Sequence, residues 1–315
     1  MKFTHLHTHS HFSLLDGLAK VDDLINQVKK FNMEAIAMTD HGNLYGSIEF
    51  YKKAKAVGIK PILGVEAYIA PNSRHDKNPQ NEKYYHLILL CENEIGWKNL
   101  IKLVTKSNLE GFYYKPRMDK EILRQYSEGL IALSGCQSGE LIQAIINNKP
   151  AEKIINEYKE IFGPENYFIE IGHHPNSDHK NFQKIWSSLI DLAKKTNTPL
   201  VATQDIHYIA KEDNKYHEIL LAVQTGNKMS NQDRMTLNDD FSMSSPEEMS
   251  ERFKEIPEAI ENTEKIASRC NVQIAMGKPI LPHFPLPEGE TSISFMRKMV
   301  EEKSKTKFAV ITDEI

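Results

Sequence analysis

The residue types that could do chemistry in this chain are concentrated in a few short clusters. There are 13 histidines, and several sit beside carboxylates: His7-Thr8-His9, Asp40-His41 and Asp205-Ile206-His207. Glu66, His86 and Cys136 add a further carboxylate, imidazole and thiol. Together these donors suit zinc, with manganese or iron as alternatives. Side chains two apart on a strand share a face. His7 and His9 can therefore grip one ion, and Asp205 and His207 can do likewise if strand geometry continues through Ile206. One H-x-H pair is a common accident, but here ligand-type residues recur at the ends of six of seven strand-like runs.

Those runs are Phe3–His9, Ala35–Thr39, Pro61–Ile69, Tyr85–Leu90, Leu130–Ser134, Tyr167–Ile171 and Leu200–Thr203. Amphipathic helical patterns lie among them near Val21–Phe31, Ser47–Val57, Ile95–Asn108, Gly139–Asn147, Ala151–Ile161 and Asn181–Lys194. Such alternation predicts an α/β fold with parallel strands, here a distorted seven-stranded (β/α)7 barrel with a C-terminal helical extension. An open doubly wound sheet is the alternative, but its glycine-rich nucleotide loop is absent. In a parallel barrel the active site lies at the C-terminal strand ends, where the donors fall. After Tyr208 come helical stretches at Asp213–Gln224, Pro246–Phe253 and Pro257–Cys270, with an aperiodic loop at Gly226–Asn238. The proline-rich stretch Pro279–Pro287 reads as a linker. The expected division is thus a domain over 1–278, and over 279–315 a linker and the start of a following region, with a helix at Ser292–Glu302.

Composition sets outer bounds. The chain has 315 residues, 40% hydrophobic and 26% charged, as expected of a soluble globular protein. No apolar run approaches the ~20 residues of a membrane span, and the N-terminus lacks the pattern of a secretory signal. Cys91, Cys136 and Cys270 then read as reduced thiols of a cytoplasmic protein. A net charge of −4 argues against a basic nucleic-acid binder, although a residue count omits bound cations.

Several motifs carry a resemblance. His7-Thr8-His9, Ser13-Leu14-Leu15-Asp16-Gly17, Thr39-Asp40-His41-Gly42, Gly64-Val65-Glu66-Ala67-Tyr68, Tyr85-His86-Leu87 and Thr203-Gln204-Asp205-Ile206-His207-Tyr208 occur in order. They resemble the polymerase-and-histidinol-phosphatase (PHP) domain family, in the form found at the N-terminus of bacterial replicative polymerase III alpha subunits. Tyr114-Lys115-Pro116-Arg117, Leu133-Ser134-Gly135-Cys136 and Ser244–Met249 match that form too. The resemblance implies three divalent ions held by nine residues. His7, His9, Glu66 and Asp205 would hold one; Glu66 would bridge to a second, also held by His86 and Cys136; Asp16, His41 and His207 would hold the third. Six positive charges against four negative ligands leave a pocket that attracts an anionic phosphate. Water on such an ion has its pKa lowered to roughly 7, so no separate catalytic side chain is assigned.

The implied activity is metal-dependent 3′→5′ exonuclease or proofreading phosphodiesterase action in DNA replication. Implied partners are a single-stranded DNA 3′ end, the remainder of the polymerase chain and other replisome subunits, with no membrane. A stand-alone phosphomonoesterase of the histidinol-phosphatase type, or a non-catalytic scaffold, are the rivals. The carboxylate-bearing polymerase domain has no room in this chain. Among other polar residues, Asp40 is expected to orient a neighbouring ligand, and His5 to be a satisfied core histidine or a support to the ligands. Glu170 and His173-His174 are expected to line or support the pocket. Arg117 and Lys115 are candidates for a nucleic-acid backbone, equally readable as solvated loop charges. Cys91 and Cys270 read as packing residues, and His11, His75, His179, His217 and His283 as surface residues.

Overall fold

The structure is a computed structural model that describes residues 2–308, 310 and 312, apart from 79–82, 177–180, 278 and 280. His179 lies outside the described residues. The chain forms two compact units, 1–273 and 274–315.

In the first unit, apolar runs become buried strands. These are β1 (Ala35–Met38), β2 (Lys60–Ile69), β3 (Tyr85–Cys91), β4 (Phe112–Tyr113), β5 (Lys115–Met118), β6 (Leu130–Leu133), β7 (Tyr167–Gly172) and β8 (Leu200–Thr203). Neighbours pair in the order β1-β2-β3-β6-β7-β8, with the short β4–β5 hairpin joined to the far end of β2. The N-terminal segment is extended but makes no regular ladder, and it lies between the two ends of this sheet. The Ala37 and Thr39 amides donate to the carbonyls of His5 and Thr8 at 2.8 and 2.9 Å, while the His9 amide donates to Ile206 O at 2.8 Å. Seven extended segments therefore follow one another round a curled sheet.

One expectation needs correcting. The strands are not all parallel, because β3 runs antiparallel to both β2 and β6. The β2–β3 connection contains no helix among its described residues, so the chain doubles back where a parallel pair would need a crossover. Burial on both faces explains why these strands are almost uninterrupted apolar sequence rather than alternating. Leu6, Ile62, Ile88, Leu90, Ile131, Leu133 and Val201 fill the interior. The helices of this unit are α1 (Val21–Lys30), α2 (Ser47–Ala56), α3 (Glu94–Leu109), α4 (Lys120–Tyr126), α5 (Glu140–Ile146), α6 (Ala151–Phe162), α7 (Phe182–Thr196), α8 (Asn214–Gln224), α9 (Pro246–Arg252) and α10 (Pro257–Arg269). Ile266, Ala267 and Cys270, at the end of α10, join the same cluster. Helix α3 (Glu94–Leu109) starts where the Asn93 side chain accepts from the amides of Ile95 and Gly96. Gly96 is required there, because a Cβ would stand 1.8 Å from the Gly129 carbonyl oxygen.

The second unit carries helix α11 (Ser292–Lys307), opened by a reciprocal Thr291–Ser294 cap. It runs five residues past the predicted end at Glu302. No described helix is long and apolar enough to cross a membrane.

Candidate metal centre

The N-terminal segment aims alternate side chains inward, leaving His7 and His9 fully buried with their Nε2 atoms 3.1 Å apart. Beside them, β2 supplies Glu66, and the turn after β8 supplies Asp205. His7 Nε2 lies 3.3 Å from Glu66 Oε1 and 3.1 Å from Asp205 Oδ1. His9 Nε2 lies 3.3 Å from Glu66 Oε2 and 3.3 Å from Asp205 Oδ1. Four donors bonded tetrahedrally at ~2.0–2.1 Å stand roughly 3.3–3.4 Å from one another. The observed separations of 3.1–3.3 Å lie near that edge length, with Glu66 meeting His7 through Oε1 and His9 through Oε2.

Glu66 faces a second group as well. His86 Nδ1 is 2.8 Å from its Oε1, and the Cys136 sulfur is 3.7 Å from Oε1 and 3.8 Å from His86 Nδ1. The longer sulfur separations suit the longer metal–sulfur bond of ~2.3 Å. On the other side His41 Nδ1 approaches Glu66 Oε2 at 2.7 Å, while its Nε2 meets Asp16 Oδ2 at 2.9 Å. His207 Nε2 is 3.8 Å from Asp16 Oδ1. All nine residues thus form one contiguous cluster, with Asp16, His41, Glu66, His86, Cys136, Asp205 and His207 lining one cavity and His7 and His9 buried behind them. Asp16 arrives from a folded loop rather than a strand end. That loop closes through Gly17, where a Cβ would meet the Ser10 carbonyl oxygen at 2.0 Å.

Strand geometry does not continue through Ile206. Asp205 has a left-handed φ of 53°; its carboxylate meets His7 and His9, and His207 lies between it and Asp16, with Nδ1 3.6 Å from Asp205 Oδ1 and Nε2 3.8 Å from Asp16 Oδ1. A left-handed aspartate is a strained choice of the kind that gathers at functional sites.

Behind the donors stands a shell of partners. Glu170 Oε1 accepts from His7 Nδ1 at 2.7 Å and from the Thr203 hydroxyl at 2.7 Å. Ser13 Oγ lies 2.9 Å from His9 Nδ1 and donates to Asp40 Oδ1 at 2.7 Å. Asp40 therefore reaches His9 through Ser13. His5 is buried, 2.9 Å from the Ser244 carbonyl, and burial pulls its pKa to about 4.

Two expectations fail here. His217 is not a surface residue: it is fully buried and its Nε2 is 2.8 Å from the Asp16 carbonyl. Its four-residue spacing from the buried Leu221 places it on the inner face of α8 (Asn214–Gln224), a signal that was available in the sequence. Arg117 does not offer its charge to a nucleic-acid backbone. It is fully buried on β5, donating to the Asp76 carbonyl at 2.6 Å and the Gly111 carbonyl at 3.3 Å. Lys115 lies with Nζ 5.4 Å from the Tyr68 ring centroid.

The electrostatics fit a cation. Burial opposes charge on Glu66 and Asp205, but surrounding histidines outweigh it and hold both carboxyls well below their usual range. Burial likewise opposes protonation of His41, yet Glu66 and Asp16 raise it to about 10. Burial and the neighbouring His9 lower His207 to about 4. Burial, then Asp205, Glu66 and Glu170, push the Cys136 thiol up; a coordinated metal reverses that direction, because a ligating thiol is deprotonated. Glu66 Oε2, Asp205 Oδ1 and His41 Nδ1 are buried and meet one another or His7 and His9 at 2.7–3.3 Å in ion-pair contacts. In each of the sets His7–His9–Glu66, His41–Glu66–His86 and His9–His41–His207, one donor atom per residue lies within 4.8 Å of the others. The residues present therefore fit a metal centre.

This chain belongs to the PHP domain family, whose pattern matches residues 5–174. Over its length it is similar to DNA polymerase III subunit alpha of Treponema pallidum, at 41% identity covering 100% of this chain and 27% of that protein. The same-named subunit of Thermus aquaticus is 44% identical, covering 95% of this chain and 25% of that protein. The chain therefore spans about a quarter of the length of these relatives. An amidohydrolase structure from Chromobacterium violaceum aligns with 65% of this chain and 87% of its own, at 14% identity and a TM-score of 0.45.

Proposed function

We propose that this chain is the PHP domain of a replicative DNA polymerase III alpha subunit, acting in the cytoplasm as a metal-dependent 3′→5′ exonuclease. The domain occupies 1–278 in this reading, and 279–315 leads into the rest of the polymerase. The observation that carries it is the gathering of His7, His9, Glu66 and Asp205 within 3.1–3.3 Å contacts, continued through Glu66 to His86 and Cys136 and through His41 to Asp16 and His207. Three divalent ions, zinc or else manganese or iron, are the proposed occupants; they would supply positive charge for a phosphoryl group and activation of water.

The chain's own contribution is orientation. Glu170 and Ser13 hold the Nδ1 sides of His7 and His9, so each ring presents Nε2 to the centre. Glu66 and Asp205 fix negative charge at the floor of the mouth, and the buried surround keeps their field unscreened. The test is elemental analysis of the purified chain together with hydrolysis of single-stranded DNA under added zinc or manganese, with a phosphomonoester as control. Two to three metal equivalents and release of 3′ nucleotides support the proposal. Cleavage of the monoester alone would favour a phosphatase, and inactivity toward both would leave a scaffold.

A further inference from the structure

The donor cluster has a second approach that the proposed ligand roles leave unused. Asp16 and His41, besides lining the main cavity, border a separate hollow whose other walls include Tyr45, Tyr68, Phe112 and Lys115. Tyr68 is buried, and its ring stacks on that of His41 with centroids 5.8 Å apart and planes at 15°. Lys115 Nζ stands 5.4 Å from the centroid of the same tyrosine ring. The β4–β5 hairpin brings Phe112 and Lys115 to this wall, pairing Phe112 with Pro116 and Tyr113 with Lys115. Between them Tyr114 has a left-handed φ of 59°, a conformation that a bulky residue holds only where its surroundings impose it.

Two features of these walls call for an occupant. Tyr45 and Phe112 are 67% and 53% exposed, so two large rings face water although burial would stabilise them. Lys115 is half-buried, yet no carboxylate among the described residues pairs with its ammonium. Asp16, which the proposed centre assigns to a metal ion, is the only carboxylate among the described lining residues. In a chain with 43 acidic and 39 basic residues, such a hollow suits a ligand that carries both flat faces and negative charge. An apolar protein segment would match the rings and leave the lysine unanswered. A duplex would offer phosphates but keep its bases stacked on one another. A single nucleic-acid strand offers both.

We propose that this hollow guides a single strand toward the donor cluster: bases preceding the terminal nucleotide stack on Tyr45 and Phe112, and Lys115 meets an adjacent phosphate. This rests on the reading of the donor cluster as the site of the terminal phosphate ester. Stacking accepts any base, because every base has a π face, so the hollow adds affinity that grows with strand length and confers no sequence preference.

The test measures binding apart from cleavage. A fluorescein-labelled octathymidylate with nuclease-resistant phosphorothioate linkages is titrated into the purified, zinc-loaded full chain and followed by anisotropy. Thymidine 5′-monophosphate, titrated by calorimetry, reports on the donor end alone. Tyr45→Ala and Phe112→Ala should each weaken the octamer at least about fivefold, the low end for loss of one stacked base, and leave the monophosphate within twofold. Both rings face solvent, so their removal spares the core. Lys115→Gln should lower the slope of log affinity against log salt by about 0.7, the value for one phosphate contact on a single strand. Unchanged octamer binding in both ring variants, or an unchanged salt slope in Lys115→Gln, overturns the hollow. So does an octamer that binds no tighter than the monophosphate, or equal weakening of both ligands. If the variants weaken the octamer but unmodified DNA is not hydrolysed, the hollow stands and the exonuclease reading falls. If parent and variants hydrolyse DNA with the same KM, the exonuclease reading stands and the hollow falls.

Discussion

Glu170→Gln tests a residue that, in the proposed metal centre, would tune a ligand without itself holding metal. Glu170 Oε1 receives His7 Nδ1–H at 2.7 Å and the Thr203 hydroxyl at 2.7 Å, while its side chain is only 2% exposed. Glutamine preserves shape and an accepting oxygen, so both hydrogen bonds persist and His7 keeps its orientation. What is lost is the negative charge that makes His7 a stronger donor at Nε2. Removing such an outer carboxylate typically costs 10–100-fold in metal affinity, or about 1.4–2.7 kcal/mol. At a fixed excess of zinc, the stabilisation gained from metal shrinks by the same amount. For a domain of this size each kcal/mol moves the melting temperature about 2–4 °C, so the zinc-induced rise should fall by roughly 3–10 °C. Comparing melts with and without zinc cancels any effect of the amide on the metal-free fold, where its nitrogen would replace the unpartnered Oε2. Competition against a calibrated chelator gives the affinity directly. A zinc affinity within twofold of the parent protein would refute the reasoning, because His7 would then not be a ligand whose basicity matters.

Three further perturbations separate the roles of other residues. Asp205→Asn should lower release of nucleotides from a DNA 3′ end at least about a hundredfold and reduce metal content, while the metal-free melt shifts only slightly; unchanged hydrolysis would remove Asp205 from the centre. Arg117→Ala should cost about 2–5 kcal/mol in denaturant unfolding through a cavity and two abandoned carbonyls, with single-stranded DNA affinity unaltered in the folded fraction. Weakened DNA binding without loss of stability would restore Arg117 as a backbone contact. Gly96→Ala should destabilise by about 1–3 kcal/mol, read as a lower urea midpoint, because its Cβ collides with the Gly129 carbonyl; an unchanged midpoint would mean that the start of α3 yields easily.

What the sequence disclosed follows from how specific each physical demand is. The placing of His7 and His9 together was legible because alternate residues of an extended segment share a face. Glu66 and His86 were legible because a charged or imidazole group within an apolar run must find a polar partner. Strand direction was not legible in this way: β3 is apolar whichever way it runs, and only the connection from β2 shows that it turns back. Asp16 escaped the parity argument because it lies in a loop whose closure depends on Gly17 meeting Ser10, and only the motif around it drew attention. Asp205 and His207 do lie side by side, with His207 Nδ1 3.6 Å from Asp205 Oδ1, but through a left-handed turn at Asp205 and not through a continuing strand.

The same reasoning explains the two misread polar residues. Charge alone suggested exposure for His217 and Arg117, yet both are buried because backbone carbonyls await them: Asp16 O for the histidine, Gly111 O and Asp76 O for the arginine. Those carbonyls belong to loops, and loops are where a pattern of polar and apolar residues carries least information about what lies opposite. In this chain the loops build the mouth of the site while the strands build its floor. The floor, formed by His7, His9 and Glu66, was accordingly the most legible part. The rim is set by tertiary contacts between residues distant in sequence, such as His174 with Phe241 or Asp16 with His217. The sequence pattern therefore speaks more directly to the donor cluster on the floor than to the contacts that shape the rim.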